Sequence, residues 1–80
     1  MSNKEQFKIL FGAFVKFKRL EKKFKQTDLA DLVGNNYQNI SSLERGEINP
    51  TLYWVFELSK VFELSLSEFI KEFENFKSNN

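Results

Sequence analysis

Residues 26–46, QTDLADLVGNNYQNISSLERG, constrain the fold of this chain more tightly than any other stretch, because they set two short helical patterns on either side of a glycine. Leu29, Ala30 and Val33 recur at helical spacing in the first half, and Ile40 and Leu43 do so in the second, so each predicted helix has one apolar face to bury. The two faces must be buried together. Ala30 is small enough to let the helix backbones approach, and Gly34 stands where the first helix must stop and can turn left-handed without a side-chain clash. Asn36 is placed to cap the second helix. The segment therefore predicts a helix, a sharp turn and a second helix crossing the first steeply. The second helix is almost uncharged and rich in amides.

The rest of the chain predicts three more helices and no strand, an all-α fold in a single domain of 80 residues. Ser2-x-x-Glu5 reads as a capping box, after which Phe7, Leu10, Phe11, Phe14, Val15 and Phe17 stripe a first helix running to residue 22 or 23. Helices two and three are expected over 26–33 and 37–44. The Arg-Gly-Glu-Ile-Asn-Pro segment over 45–50 reads as a turn in which Asn49-Pro50 opposes helix continuation, and Thr51 can cap a fourth helix with Leu52, Val55, Leu58, Ser59 and Phe62 on one face. Ser65-x-x-Glu68 is a second capping box, opening a fifth helix striped by Leu66, Phe69, Ile70, Phe73 and Phe76, with the tail KSNN expected to fray.

With no cysteine and no histidine the chain has neither disulfide staples nor an ordinary zinc site, so no metal or cofactor is expected. Apolar burial must suffice. Ten Phe residues can supply it, at about 1.5–3 kcal/mol for each one fully buried, against a total stability of roughly 4–12 kcal/mol for a domain of this length. Little volume for a small-molecule ligand is expected once these rings pack. The charged N-terminus has no long apolar run, so neither a signal peptide nor a membrane span is expected, and the cytoplasm is the predicted location.

Charge is distributed unevenly. Residues 1–25 hold eight Lys/Arg and two Glu, net +6, whereas residues 26–80 hold four Lys/Arg and nine Asp/Glu, net −5. Such a chain can turn its basic end toward a polyanion, although lysines on a long first helix can equally just solvate its outer face.

An ordered set of residues at fixed spacing carries a resemblance: Phe11-Gly12, Val15, Arg19, Gln26, Leu29-Ala30, Gly34, Ile40-Ser41, Leu43-Glu44-Arg45-Gly46, Asn49-Pro50, Leu52, Leu58, Phe62, Leu64-Ser65-Leu66 and Phe69. Across roughly residues 11–70 the chain resembles the lambda-repressor-like helix-turn-helix family of Cro/cI and Xre type. That resemblance implies a compact five-helix domain that binds a double-stranded DNA operator, usually as a homodimer on a two-fold site, at the nucleoid.

The resemblance also implies roles. Gln26 corresponds to the family's phosphate-contacting glutamine. Base contacts are expected from Asn36, Tyr37, Gln38, Asn39, Ser41 and Ser42, none of them charged. Asn and Gln can bond N6 and N7 of adenine together, whereas guanine is read bidentately by Arg or Lys, so adenines are expected among the contacted bases. Lys25 departs from the Ser or Thr common in relatives, which weakens a cap but adds a cation beside the phosphate path. Glu47 departs in the opposite sense, since the loop after helix three is often basic in relatives and a carboxylate there repels DNA, which leaves Asn49 and Thr51 to carry backbone contacts on that side. Arg19 and Glu44 correspond to a largely buried structural ion pair, and without histidine, cysteine or a second positioned acid they suggest no enzyme. Dimerisation is expected on helix five and the C-terminal end, with Trp54, Val61, Leu64, Phe73 and Phe76 as interface residues.

A domain of this length, without a sensor or protease-responsive domain, resembles the controller proteins of restriction-modification systems. Cro-like phage repressors and autorepressing antitoxins are alternatives within the same class. An alternative of another class is a helical protein-interaction module built on the acidic helices and exposed aromatics.

Overall fold

The computed structural model describes residues 3–79, which form five helices: α1 Asn3–Glu21, α2 Gln26–Leu32, α3 Tyr37–Glu44, α4 Leu52–Val61 and α5 Leu66–Ser78. No strand occurs among the described residues. Each of the last four helices begins where the sequence placed a start. Asn36, Thr51 and Ser65 each accept a hydrogen bond from the backbone N–H three residues on, and Glu68 returns the bond to the Ser65 N–H at 2.8 Å. Lys25 offers no acceptor, so α2 keeps only half a box, the Asp28 carboxylate accepting from the Lys25 N–H at 2.8 Å. The Ser2 half of the first predicted box lies outside the described residues.

One closing device ends α1 to α4. The N–H two residues past the cap reaches back to a carbonyl five positions earlier, as in Phe24 to Arg19 at 3.1 Å and Asn35 to Ala30 at 2.8 Å, with a left-handed residue between. That residue is glycine after α2 and α3, but Lys23 and Glu63 after α1 and α4. α1 therefore stops at Glu21, one or two residues short of the prediction. The C-terminus departs in the other direction: Lys77 and Ser78 belong to α5 rather than fraying.

α1 packs against α3 on one side and α5 on the other, α2 against α3, and α4 against α5. Phe11, Phe14, Val15, Leu29, Ala30, Ile40, Leu43, Leu58, Phe62, Phe69 and Phe73 are buried together. Gly12 lets α1 and α3 touch, since a Cβ there would overlap the Leu43 carbonyl oxygen and stand 2.9 Å from that of Glu44. On the other flank Phe11, Phe14, Phe69 and Phe73 sit with ring centroids 5.2–6.3 Å apart.

Several stripe residues face outward instead. Leu52 is 74% exposed, and Phe7, Phe17 and Ile70 are exposed too, because a stripe one helix turn wide covers more of the surface than the neighbouring helix can bury. Phe73 corrects an expectation in the other direction. At 3% exposure, with its ring on Phe7, Phe11 and Phe14, it belongs to the core and offers no surface to a second copy. An open surface groove of about 550 Å³ lies beside Phe14, Phe17 and Phe76.

The basic first helix is partly answered by the acidic end of the chain. Lys18 reaches Glu72 of α5 at 2.7 Å and Glu21 at 3.2 Å, and Lys22 reaches Glu63 at 3.4 Å. Burial pulls the Lys18 ammonium down, but the two carboxylates outweigh it and hold its pKa above the ordinary lysine value. These lysines tie helices together rather than forming a free cationic face.

Candidate nucleic-acid interface

The Arg19–Glu44 pair underlies the α2–α3 unit. Arg19 Nε donates to Glu44 Oε2 at 2.7 Å and Nη2 to Oε1 at 3.1 Å, a two-pronged contact with side chains only 9% and 4% exposed. Arg19 Nη1 donates to the Phe24 carbonyl at 2.7 Å, so the turn after α1 is held by the same guanidinium. Gln26 joins in, donating one amide N–H to Glu44 Oε1 at 3.0 Å. The second N–H of that amide remains as a donor at the half-buried head of α2.

Ile40 and Leu43 are fully buried and fix the rotation of α3, which leaves Tyr37 and Gln38 exposed at its first turn. The amides there divide by occupation. Asn36 Oδ1 is committed to capping, accepting from the Asn39 N–H at 2.9 Å. Asn39 Nδ2 donates to Asn35 Oδ1 at 2.7 Å, and that oxygen also accepts from the Asn36 N–H at 2.9 Å. Asn35, absent from the candidate residues, thus orders the turn. The Gln38 amide makes no hydrogen bond among the described residues, so both its donor and acceptor edges face outward.

Asn39, Asn49 and Thr51 line one open cleft of about 340 Å³ between the α2–α3 turn and the start of α4. Thr51 Oγ1 accepts from the Trp54 N–H at 3.1 Å and keeps its own proton to donate. Trp54 lines this same cleft, with its indole N–H buried and unpaired among the described residues, whereas Phe76 packs on Phe14 and Phe17. The five expected interface residues therefore do not form one patch: Phe73 is core, Trp54 and Phe76 line different depressions, and Val61 and Leu64 are half-buried against the core. Lys25 is exposed at the N-cap of α2.

The helix-turn-helix family model matches residues 15–69. This chain belongs to that family. Helix-turn-helix membership makes it a DNA-binding transcriptional regulator, with α2 and α3 as the two named helices. The restriction-modification controller protein C.AhdI from Aeromonas hydrophila superposes with a TM-score of 0.77 at 24% identity, over 85% of this chain and 99% of its own. The clp gene regulator ClgR from Corynebacterium glutamicum gives 0.76 at 19% identity, over 85% and 72%. At these identities the likeness is one of fold. A search of curated proteins found no significant sequence match. No helix among the described residues is long and apolar enough to cross a membrane.

One residue of this helix-turn-helix site was missed from the sequence. Arg45 follows Gln38 by seven positions and Ser41 by four, which continues the same stripe to the C-cap, the residue directly after the end of α3. Its guanidinium grips Glu47, Nε to Oε2 at 2.8 Å and Nη2 to Oε1 at 3.1 Å, and donates to the Ser41 and Ser42 hydroxyls. The spacing alone could have flagged it. The cation was passed over because it was read as part of a turn.

Proposed function

We propose that this chain represses or activates its target promoter by reading a two-fold DNA site as a homodimer, without catalysing a reaction, in the cytoplasm. The observation that carries this reading is Gln38: an exposed amide with both edges unoccupied, on a helix whose rotation Ile40 and Leu43 fix and whose end Glu44 anchors. Tyr37, Ser41 and Ser42 extend the reading face, and Asn36 and Asn39 stiffen it while keeping their remaining amide groups for bases. Gln26, Lys25, Asn49 and Thr51 take phosphates on either side. A free amide favours adenine, through paired bonds to N6 and N7. The resemblance in fold to a controller protein supports a restriction-modification controller as the specific role, ahead of a Cro-like repressor or an autorepressing antitoxin.

A second copy is expected because one short helix contacts only a few base pairs, and two subunits on successive major-groove faces would set half-site centres about 34 Å apart. The accessible edges of Val61, Leu64 and Phe76 remain the interface candidates now that Phe73 lies in the core. With about four phosphates neutralised per subunit, affinity should fall with salt at a logarithmic slope on the order of −7.

Selection from a randomised duplex library tests the reading. Wild-type protein should enrich a two-fold motif containing adenines. Gln38→Ala should flatten one position in each half-site by roughly tenfold, with binding to unselected DNA unchanged. A motif whose critical bases are guanines alone would contradict the adenine assignment. Failure to retain any duplex at low salt would favour the protein-interaction alternative, and a monomer in sedimentation with and without the motif would remove the dimer.

A further inference from the structure

A guanidinium has two edges that can each donate a pair of hydrogen bonds: a side edge made by Nε and one Nη, and an end edge made by the two Nη groups. Arg45 uses them differently. Its side edge is taken by Glu47, Nε to Oε2 at 2.8 Å and Nη2 to Oε1 at 3.1 Å, the two-pronged geometry in which a carboxylate binds best. Its end edge holds only serine hydroxyls, Ser41 on Nη1 and Ser42 on Nη2 at 3.3 Å. Those contacts fix where the guanidinium lies. Arg45 is the C-cap of α3, yet its head folds back one turn over Ser41 and Ser42, onto the stripe that Gln38 begins. A hydroxyl is an easily replaced partner, because it is neutral, keeps a second lone pair and can turn to water. A carboxylate gripped twice is not.

We propose that Arg45 reads a guanine through its end edge and that Glu47 is a positioning residue that holds the guanidinium for that contact. The inference rests on the DNA-reading role proposed above and deepens it, adding a second kind of base to the adenine assigned to Gln38. Guanine alone offers two acceptors side by side in the major groove, O6 and N7, and these suit the two N–H groups that now meet the hydroxyls. Adenine offers N7 beside a donor, thymine a single O4, and cytosine only a donor. When Arg45 exchanges the serines for a base, both hydroxyls are released to neighbouring bases or water. Glu47 contributes in two ways. A long side chain loses rotamer freedom when it is fixed on a base, and one already held by a carboxylate has lost much of it before DNA arrives. The carboxylate also cancels the charge of the guanidinium, so the pair gains little from phosphates, which carry no sequence information. The view of Glu47 as a merely repelling charge changes accordingly: it lowers general affinity and sharpens base selection.

The Arg45 and Glu47 side chains are 54% and 53% exposed, so substitutions there leave the core alone. Library selection on wild type, Arg45→Ala, Glu47→Ala and the double variant tests the proposal, with binding to unselected duplex measured in parallel and each variant first shown to melt as the wild type does. Wild type should favour guanine about tenfold at one position per half-site, distinct from the position that Gln38→Ala flattens. Arg45→Ala should abolish that preference. Glu47→Ala should move the two readouts in opposite directions. Guanine preference should fall to about threefold because the guanidinium is no longer oriented, while binding to unselected DNA should rise by about threefold because a negative charge is gone. With Arg45 already removed, Glu47→Ala should change no base preference, the mark of two residues acting as one. If Glu47→Ala raises binding to all sequences with guanine preference intact or increased, Glu47 only repels DNA or withholds the arginine, and the positioning role is wrong. If Arg45→Ala alters no position although wild type selects a motif, Arg45 reads no base and this inference falls while the DNA-reading role stands. If wild type selects no motif, both fall together.

Discussion

The two halves of this small protein are held by different physics. Where α1 meets α5, rings lie on rings: Phe11, Phe14, Phe69 and Phe73, with Phe62 stacked on Phe69 at 5.9 Å. Burial there is a matter of area, non-directional and shared among many contacts. Where α1 meets α2 and α3 no ring pair joins the helices among the described residues. The contact depends on a missing Cβ at Gly12, a guanidinium forked onto Glu44 and the amide of Gln26. The aromatic half should tolerate change in proportion to the area lost, whereas the reading half should respond to single atoms. A DNA reader needs this division, because base recognition depends on the placement of α3 to within a fraction of a hydrogen-bond length.

The strongest way to break that contrast is at Glu44. Glu44→Ala leaves Arg19 buried with only the Phe24 carbonyl as partner, and should cost roughly 3–5 kcal/mol, enough to unfold much of a marginal domain. Arg19→Leu combined with Glu44→Leu should recover most of that loss, since well-packed apolar replacements remove the uncompensated charge. Thermal melts of the two variants check both claims, and an unchanged melting temperature for Glu44→Ala would deny the pair its structural role. Gly12→Ala comes next. The clash is with backbone carbonyls rather than a side-chain tip, so α1 and α3 must separate at a cost of about 1–3 kcal/mol. DNA affinity should fall further than stability, because α3 moves with the contact.

The aromatic half supplies the control. Phe69→Leu removes ring area but keeps an apolar side chain, and should cost about 1–2 kcal/mol with little change in base preference. If it shifted the selected motif as much as Gly12→Ala does, the division between the halves would be wrong.

Much of this was legible from residues. Three caps, both glycine turns and all five helices follow from local rules that act within four or five positions, and the Gln26, Asn36 and Gln38 placements follow from them. What escaped depends on three-dimensional proximity. Phe73 looked like the overhang of an apolar stripe because nothing in its neighbourhood tells that Phe7 comes back across it. The pairing of Lys18 with Glu72 spans 54 positions, so its lysine was read as a solvated or DNA-facing charge. The Arg45–Glu47 grip is local, but the repulsion assigned to Glu47 treated each charge singly rather than as a pair.

At the outer caps the effects become smaller and gain a pH signature. Ser65→Ala should cost about 1 kcal/mol, the usual worth of a helix cap. The Glu68 carboxyl lies below its ordinary value of 4.5 because the Ser65 backbone N–H, and then its hydroxyl, bond to the ionised form. A group depressed in the folded state contributes its stability above the unfolded value and loses it as pH falls through the lower folded one. Melting temperature against pH should therefore drop below about 4.5 by a smaller step in Glu68→Gln than in wild type. An identical acid limb would remove the capping bond from the account.

The smallest effect runs in the opposite direction and separates the halves once more. Lys23 and Glu63 hold left-handed backbone at φ 60° and 62°, where a Cβ crowds the following carbonyl at a cost of roughly 1–2 kcal/mol. Glycine relieves that crowding but gains freedom in the unfolded chain, which returns roughly 0.5–1 kcal/mol. Lys23→Gly and Glu63→Gly should each stabilise by about 0.5 kcal/mol on balance. Their effects on DNA binding should differ. The turn at Lys23 presents the Phe24 carbonyl to Arg19, the guanidinium that anchors α3, so relaxing it should change affinity along with melting temperature. Glu63 joins α4 to α5 and meets the α1 turn only through its solvent-exposed pair with Lys22 at 3.4 Å, which contributes little, so Glu63→Gly should raise melting temperature with affinity unchanged. Equal effects on affinity would mean that the reading helix is not held through the α1 turn, and the two halves would then be coupled through the whole core.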